Sequence, residues 1–517
     1  MRQAVFRAMS GMLNNYLKKI LQAPVYDVAS QTPTQIAPKL SAKLGNQVLL
    51  KREDLQPVFS FKLRGAYNCM VNLDSASRAR GVITASAGNH AQGVALAAKK
   101  LGIKATIVMP QTTPAIKVDS VRNLQGKVVL HGDTYDEAFT HAQSLVKKKG
   151  LRYVHAYDDA DVIAGQGTVG MEILRQVSSD LDAIFVPVGG GGLLAGVAAY
   201  VKTLRPDVQV IGVEPEDAAC LNAALQKGRR VKLPHVGIFA DGVAVAQIGK
   251  EPYRVVKNIV DRVVTVSTDE MCASIKDIFE ETRNICEPAG ALALAGLKKY
   301  VHECDCRGQT LVAINSGANT NFDRLRYISE RTDVGEQAEA VLAVTIPEKA
   351  GSFRAFCKAI GKRNITEFNY RFSADGDAHI FVGIKLTPGG DDRRQLLQQL
   401  RDKRYPVVDL SDDEMAKSHI RYMVGGRPPA SAAADELLYR VMFPERPGAL
   451  LSFLNGLEPR WNISLFHYRN HGAAYGRILL GLQVPKDERA EFARRIRASN
   501  YDYVEETHNP AYQLFLS

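Results

Sequence analysis

At 517 residues the chain has room for three or four structural units of about 150 residues each, and for a large core. Its 46% hydrophobic and 23% charged residues place it among ordinary soluble globular proteins. The formal charge of +11 raises the question of nucleic acid. However, the basic residues are scattered, and the one tight run, Lys147-Lys148-Lys149, closes a predicted helix, where cations suit the dipole. No nucleic-acid partner is expected.

Taken in order, the first twenty-six residues are basic (Arg2, Arg7, Lys18, Lys19) and carry no acid, a faint transit-peptide signal that makes mitochondrial import the minor alternative to a cytoplasmic location. Val48-Leu49-Leu50-Lys51 predicts a strand, followed by the acidic pair Glu53-Asp54 and then Ser60-Phe61-Lys62-Leu63-Arg64-Gly65-Ala66. Lys62, between Phe61 and Leu63, is partly shielded from water. Shielding disfavours its charged form and makes it a candidate Schiff-base nucleophile, although the stretch alone also reads as a surface lysine on an amphipathic turn.

From here to about Ser329, β-branched runs alternate with helical stretches such as Gln92 to Leu101 and Asp133 to Lys149. The strands are Gly81 to Thr84, Ala105 to Val108, Lys127 to Leu130, Ala183 to Val186, Val208 to Ile211, Val263 to Val266 and Leu311 to Ile314. That alternation predicts a largely parallel sheet covered on both faces, with ligands at the carboxyl ends of its strands. Three further motifs fall at such ends: Ser86-Ala87-Gly88-Asn89-His90, Gly189-Gly190-Gly191-Gly192-Leu193 and Asn315-Ser316-Gly317-Ala318-Asn319. The four glycines ahead of a helix suit close approach of backbone to a phosphate, and their spacing is not that of a dinucleotide loop. Ala183 to Val201 is uncharged and long enough to span a membrane, but Pro187 and the glycines make it strand, loop and helix, so no span is expected. Seven cysteines, without a paired CxxC, fit reduced thiols in the cytosol, and no metal site is expected.

Beyond Glu330 the composition turns polar, and an internal repeat follows. Residues Ala343 to Phe353 match Arg440 to Leu450, and Asn364 to Arg371 match Asn462 to Arg469. Each copy reads strand, loop, helix, two strands, helix, strand, the order of a ferredoxin-like unit. Gly425-Gly426-Arg427-Pro428-Pro429 joins them.

In their order and spacing, the Lys62 stretch, Ser86 to His90, the glycine run and Asn315 to Asn319 resemble the fold-type II pyridoxal-phosphate enzymes. With its repeated tail, nearly the whole chain resembles the biosynthetic threonine deaminases, whose first helix Leu17 to Val25 also resembles. The resemblance implies an α/β fold: a tryptophan synthase β-like catalytic domain over residues 1–330, a linker over 331–340, and two ACT-like α+β regulatory subdomains over 341–424 and 437–510. It implies that Lys62 holds pyridoxal 5′-phosphate and moves the Cα proton, that Asn89 meets the cofactor's 3-hydroxyl, and that Gly189, Gly190, Gly191, Gly192 and Leu193 bind its phosphate. Ser316 would face the pyridine nitrogen. Ser86, Ala87, Gly88, Asn89 and His90 would frame the substrate carboxylate, with no catalytic role for the His90 ring.

The implied reaction is deamination of L-threonine to 2-oxobutanoate, with L-serine as second substrate, in a homotetramer inhibited by isoleucine and opposed by valine. Effector contacts are expected from Phe353 and Leu450 on loops and from Tyr370 and Tyr468 on strands. Serine-racemising relatives carry a serine where this chain has Ala87, and an acid where it has Cys220 while sharing Glu214, so neither racemisation nor an obligatory divalent metal is expected. Glu287, in Glu287-Pro288-Ala289-Gly290-Ala291, tunes the site or simply starts a helix. Alternatives within the resemblance are threonine synthase, a β-replacement synthase, or an amino-acid sensor without chemistry.

Overall fold

The computed structural model describes residues 2–517 except 178–179, 323, 337, 362, 372–376, 388–390, 414–415, 418–419, 423–434, 445–448, 457–459, 470–474, 500, 511, 513–515 and 517. The chain forms two units, Met1–Gly335 and Glu336–Ser517.

Among its described residues the first unit contains ten strands: β1 (Thr34–Ile36), β2 (Gln47–Arg52), β3 (Val82–Ala85), β4 (Ala105–Met109), β5 (Lys127–Leu130), β6 (Arg152–Tyr153), β7 (Leu181–Pro187), β8 (Gln209–Pro215), β9 (Arg262–Val266) and β10 (Thr310–Asn315). They form two sheets, not the single sheet expected. One has the order β1-β2-β10-β7-β8-β9, parallel except for β1; the other, β5-β4-β3-β6, is wholly parallel. The physical reason is that β2 takes the late strand β10 as its parallel neighbour, with Val48 opposite Leu311. The strands between residues 82 and 153 are thereby left to pair among themselves. Every residue of β10 is buried, as a strand covered on both faces requires.

The basic N-terminal helix Arg2–Leu21 is part of this unit: Leu13, Tyr16 and Ile20 join its core, and Tyr16 donates to Glu251 at 2.6 Å. Helix Tyr135–Lys149 starts with a capping box from Thr134 and Glu137 and stops at Gly150, a helix end of the usual left-handed kind. The stretch Ala183 to Val201 is β7, a glycine turn and helix Gly192–Leu204. Among the described residues no helix is long and apolar enough to cross a membrane.

A buried ion cluster fastens helix Lys62–Val71. Arg64 donates to both oxygens of Glu53 at 2.8 Å and to Glu172 at 2.7 Å, while Lys51 donates to Glu172 at 2.7 Å; all four side chains are fully buried. Two cations balance two carboxylates, the condition under which burial of charge is tolerable.

Residues 331–335, expected to be linker, continue helix Arg324–Gly335, and Arg331 and Thr332 bond back to Asp269 and the Cys272 carbonyl. The second unit begins with β11 (Glu339–Pro347). Each repeat copy then runs in the expected order. The first adds helix Ser352–Ile360, β12 (Ile365–Arg371), β13 (Asp377–Lys385), helix Asp392–Asp402 and β14 (Val407–Asp409). The second is β15 (Glu436–Pro444), helix Ala449–Gly456, β16 (Asn462–Arg469), β17 (Tyr475–Gln483), helix Arg489–Ala498 and β18 (Asp502–Glu505). The copies share one antiparallel sheet, β14-β11-β13-β12-β16-β17-β15-β18, joined where β12 pairs β16.

Candidate active site

The sequence motifs meet where strand ends from both sheets of the first unit face each other. After β2 the chain runs through Ser60, which bridges Gly317; Phe61 donates its N–H to the Ser316 carbonyl at 3.3 Å, and Ala318 donates to Phe59 at 2.9 Å. Lys62 therefore begins its helix directly beside the turn after β10. Its half-buried amine lies 5.2 Å from the Phe61 ring centre and donates to the Ala156 carbonyl at 3.2 Å. Desolvation pushes the ammonium down to about 8, against the pull of Glu287.

Ala156 carries the site on to the glycines, because its neighbour Tyr157 covers them. A Cβ at Gly190 would overlap the Tyr157 ring, and Gly191 has φ +87°, a conformation that suits only glycine without strain. The glycines thus make room for protein atoms as well as freeing the first N–H groups of helix Gly192–Leu204, which have no acceptor within the helix. Tyr157 and Ala156 lie in an ordinary loop sequence and were not foreseen. The surplus of glycines over what one phosphate needs was the available signal.

From β3, Ser86 accepts the Gly88 N–H at 3.3 Å, and Asn89 opens helix Asn89–Leu101. The Asn89 amide donates to Glu287 Oε1 at 2.6 Å and accepts from Asn319 Nδ2 at 2.7 Å, so it spans the cleft between the sheets. Glu287 is buried, and burial together with the nearby Asp241 charge raises its carboxyl to about 7, although the Asn89 hydrogen bond opposes this. Its own N–H bonds the Gly317 carbonyl at 3.1 Å. Ser316 Oγ is buried and donates to the Ala289 carbonyl at 3.2 Å. The His90 ring is buried against the Val154 carbonyl at 3.0 Å, and burial lowers its pKa to about 3. Burial thus favours the neutral ring, whose Nε2 meets the Val154 carbonyl while its Nδ1 is buried without a partner among the described residues. Glu214 caps helix Cys220–Gln226 through the Leu221 and Asn222 N–H groups, and Cys220 Sγ donates to the Gly189 carbonyl at 3.4 Å.

Comparison with known proteins follows the two units. Residues 25–317 match the family described as pyridoxal-phosphate dependent enzyme. Residues 330–420 and 429–516 match the C-terminal regulatory domain of threonine dehydratase. The L-threonine dehydratase biosynthetic IlvA of Burkholderia multivorans is 56% identical over 98% of this chain and 99% of its own. The protein of that name from Escherichia coli is 55% identical over 97% of each. The chain belongs to the biosynthetic threonine dehydratase family. The solved structure of processed threonine deaminase isoform 2 from Solanum lycopersicum is 52% identical and superposes with a TM-score of 0.61, covering 62% of this chain and 93% of that one.

The cofactor of a dehydratase in this family is pyridoxal phosphate, and the residues present fit it. A half-buried amine with a lowered pKa stands beside a helix start rich in N–H groups. Among the described residues, the Ser60 hydroxyl and both polar atoms of the Asn315 amide are buried without a partner.

In the regulatory unit Phe353 is the second residue of helix Ser352–Ile360, not a loop residue. It packs 4.5 Å from Phe368 and 4.8 Å from Phe466, ring centre to ring centre. Phe353 is drawn into the helix because Gly351, with φ +89°, turns the chain immediately before the helix starts at Ser352. Tyr370 is buried with its hydroxyl on Glu348, and Tyr468 is buried in the same core. The side chain of Leu450 lies outside the described residues. Phe353 and Tyr370 line a cavity of about 40 Å³ whose far wall, Leu454, Trp461, Asn462, Ile463 and Leu482, belongs to the second copy.

Proposed function

We propose that this chain is an L-threonine ammonia-lyase that converts threonine to 2-oxobutanoate and ammonia at the head of isoleucine synthesis, and that isoleucine inhibits it. The observation that supports this most is Lys62. Its amine is kept poorly solvated at the junction of all four motifs, in a chain that aligns end to end with biosynthetic threonine dehydratases. Bound pyridoxal phosphate supplies the electron sink for the pair left at Cα. Lys62 would hold the cofactor and would take the Cα proton; a pKa near 8 suits a base working near neutral pH. Ser86 to His90 hold the substrate carboxylate with backbone N–H groups and the Ser86 hydroxyl, and Asn89 meets the 3-oxygen. Gly189 to Leu193 bind the phosphate at a helix start, where N–H groups and dipole favour an anion. The Ser316 hydroxyl would meet the pyridine nitrogen. L-Serine, one methyl smaller, is a second substrate.

Isoleucine is read at the seam of the regulatory unit. The cavity between Phe353, Tyr370 and Trp461 offers apolar walls, and the start of helix Ser352–Ile360 offers N–H groups to a carboxylate. Valine competes there, and the assembly is a tetramer that passes between two states. The seven free thiols suit a cytoplasmic location. The test is 2-oxobutanoate release from threonine by the full chain and by a chain ending at Gly335. The full chain should turn over threonine sigmoidally, with isoleucine raising the half-saturating threonine concentration about 5–150-fold. The shortened chain should ignore isoleucine. Absence of 2-oxobutanoate overturns the activity. Isoleucine inhibition that survives truncation overturns the regulatory reading.

A further inference from the structure

The hydrogen bonds around Asn89 run in one direction. Asn319 Nδ2 donates to the Val58 carbonyl at 2.8 Å and to Asn89 Oδ1 at 2.7 Å; Asn89 Nδ2 donates to Glu287 Oε1 at 2.6 Å. A backbone carbonyl only accepts, so Val58 fixes which end of the Asn319 amide is nitrogen. Both N–H bonds of Asn319 are then committed, and the atom it meets on Asn89 must be the oxygen. That leaves the Asn89 nitrogen toward Glu287; a carboxyl can accept from a nitrogen or, when protonated, donate to an oxygen, so Glu287 by itself does not fix the Asn89 amide. Among the described residues, one N–H of Asn89 remains uncommitted. The chain of bonds crosses the cleft from the turn after β10 to the helix after β3.

We propose that Asn319 is a positioning residue that holds the Asn89 amide so that it turns a donor, and not its oxygen, toward the cofactor's 3-oxygen. This rests on the reading that Asn89 meets that oxygen. An amide is nearly symmetric in shape, and without Asn319 both orientations of Asn89 fit the space. With its oxygen forward, Asn89 would place one acceptor against another. The carboxylate introduced by Asn319→Asp has no N–H to offer, and its charge would draw the Asn89 nitrogen toward itself, reversing the amide. A purely structural role for Asn319, tying the turn to Val58, would instead act whatever side chain stands at 89.

The experiment is a double-mutant cycle on the full-length holoenzyme, reading the dissociation constant of pyridoxal phosphate from loss of its visible absorbance on dilution. Asn89→Ala should weaken cofactor binding about tenfold or more, the worth of one hydrogen bond to an ionised oxygen. Asn319→Asp should weaken it at least as much. In the Asn89→Ala background, Asn319→Asp should have no further effect. If Asn319→Asp does not accumulate as folded protein, Asn319→Ser carries the same cycle. Its single hydroxyl proton cannot serve both Val58 and Asn89, so it should weaken binding in the wild-type background only. An unchanged constant for Asn89→Ala overturns the cofactor reading of Asn89, and the proposal with it. A loss in Asn89→Ala, combined with an Asn319 effect that is nil or equal in both backgrounds, overturns the positioning role and leaves Asn89's own role standing.

Discussion

Glu287→Gln isolates one buried proton. The carboxyl is raised from 4.5 to about 7, first by burial and then by Asp241, while Asn89, Lys117 and Lys62 pull the other way. Below pH 4.5 the group is protonated folded or unfolded and makes no difference to stability. Between about 4.5 and 7 the unfolded chain loses the proton while the folded one keeps it, so stability falls as pH rises. Above 7 the folded protein holds the charge, and the whole penalty applies. At about 1.4 kcal/mol per pH unit, the rise corresponds to about 3 kcal/mol. Glutamine keeps the carbonyl oxygen that accepts from Asn89 and cannot ionise. The stability of Glu287→Gln relative to wild type should therefore climb by about 3 kcal/mol from pH 4.5 to 7.5. Urea unfolding at four pH values across that range measures it, with the cofactor removed so that its charges do not enter. Carboxylates with lowered pKa, such as Glu172, act in the opposite sense but at lower pH, and they cancel in the difference. A difference between the two proteins that stays flat from pH 4.5 to 7.5 would refute the raised pKa.

Lys62→Ala should keep the fold and abolish turnover, and borohydride reduction followed by peptide mapping should place the pyridoxyl group on Lys62; a label on another lysine would count against its role. Ala87 has no side-chain proton to give, so incubation with L-serine should yield no D-serine by chiral chromatography, and appreciable D-serine would sink that expectation. Arg64→Met leaves Glu53 and Glu172 with Lys51 as the one remaining cation of the cluster, and should destabilise the first unit by about 3–5 kcal/mol in urea unfolding. A loss under about 1 kcal/mol would mean that the cluster relaxes or admits water.

The parallel strands of the first unit were legible because a strand buried on both faces must be apolar nearly throughout; β7 and β10 are read directly from their side chains. Their carboxyl ends then located the motifs. The division into two sheets was not legible, since the pairing of β2 with β10 depends on residues some 260 positions apart, and β1 and β6 are too short for any period to show. Lys62 was legible as a shielded lysine, but its partner is a backbone carbonyl, which no side-chain pattern encodes. Asn319 stood in a recognised motif without a task, because the direction of an amide becomes visible only when its neighbours are placed. Phe353 was expected on a loop from its place after Gly351. Its burial against Phe466 of the other copy depends on a seam that the repeat does not specify.

That seam bears on how the tail acts. Either edge of a ferredoxin-like sheet presents unpaired N–H and C=O groups, and the same alternating pattern serves whichever edge is covered. Here β12 of one copy takes β16 of the other, with Glu367 opposite Arg469 and Arg371 opposite Leu465, so the eight strands are continuous. Arg371 also crosses the seam to the buried Glu436 at 2.6 Å and reaches the Leu516 carbonyl at 2.7 Å. The aromatic core crosses with it, through Phe353 and Phe466. A ligand seated between Phe353 and Trp461 would therefore press on both copies at once. The two halves cannot respond independently without breaking a ladder of main-chain hydrogen bonds and a buried ion pair. Interfaces so joined shift between discrete arrangements and do not deform gradually, which is the property that the proposed isoleucine signal would have to exploit.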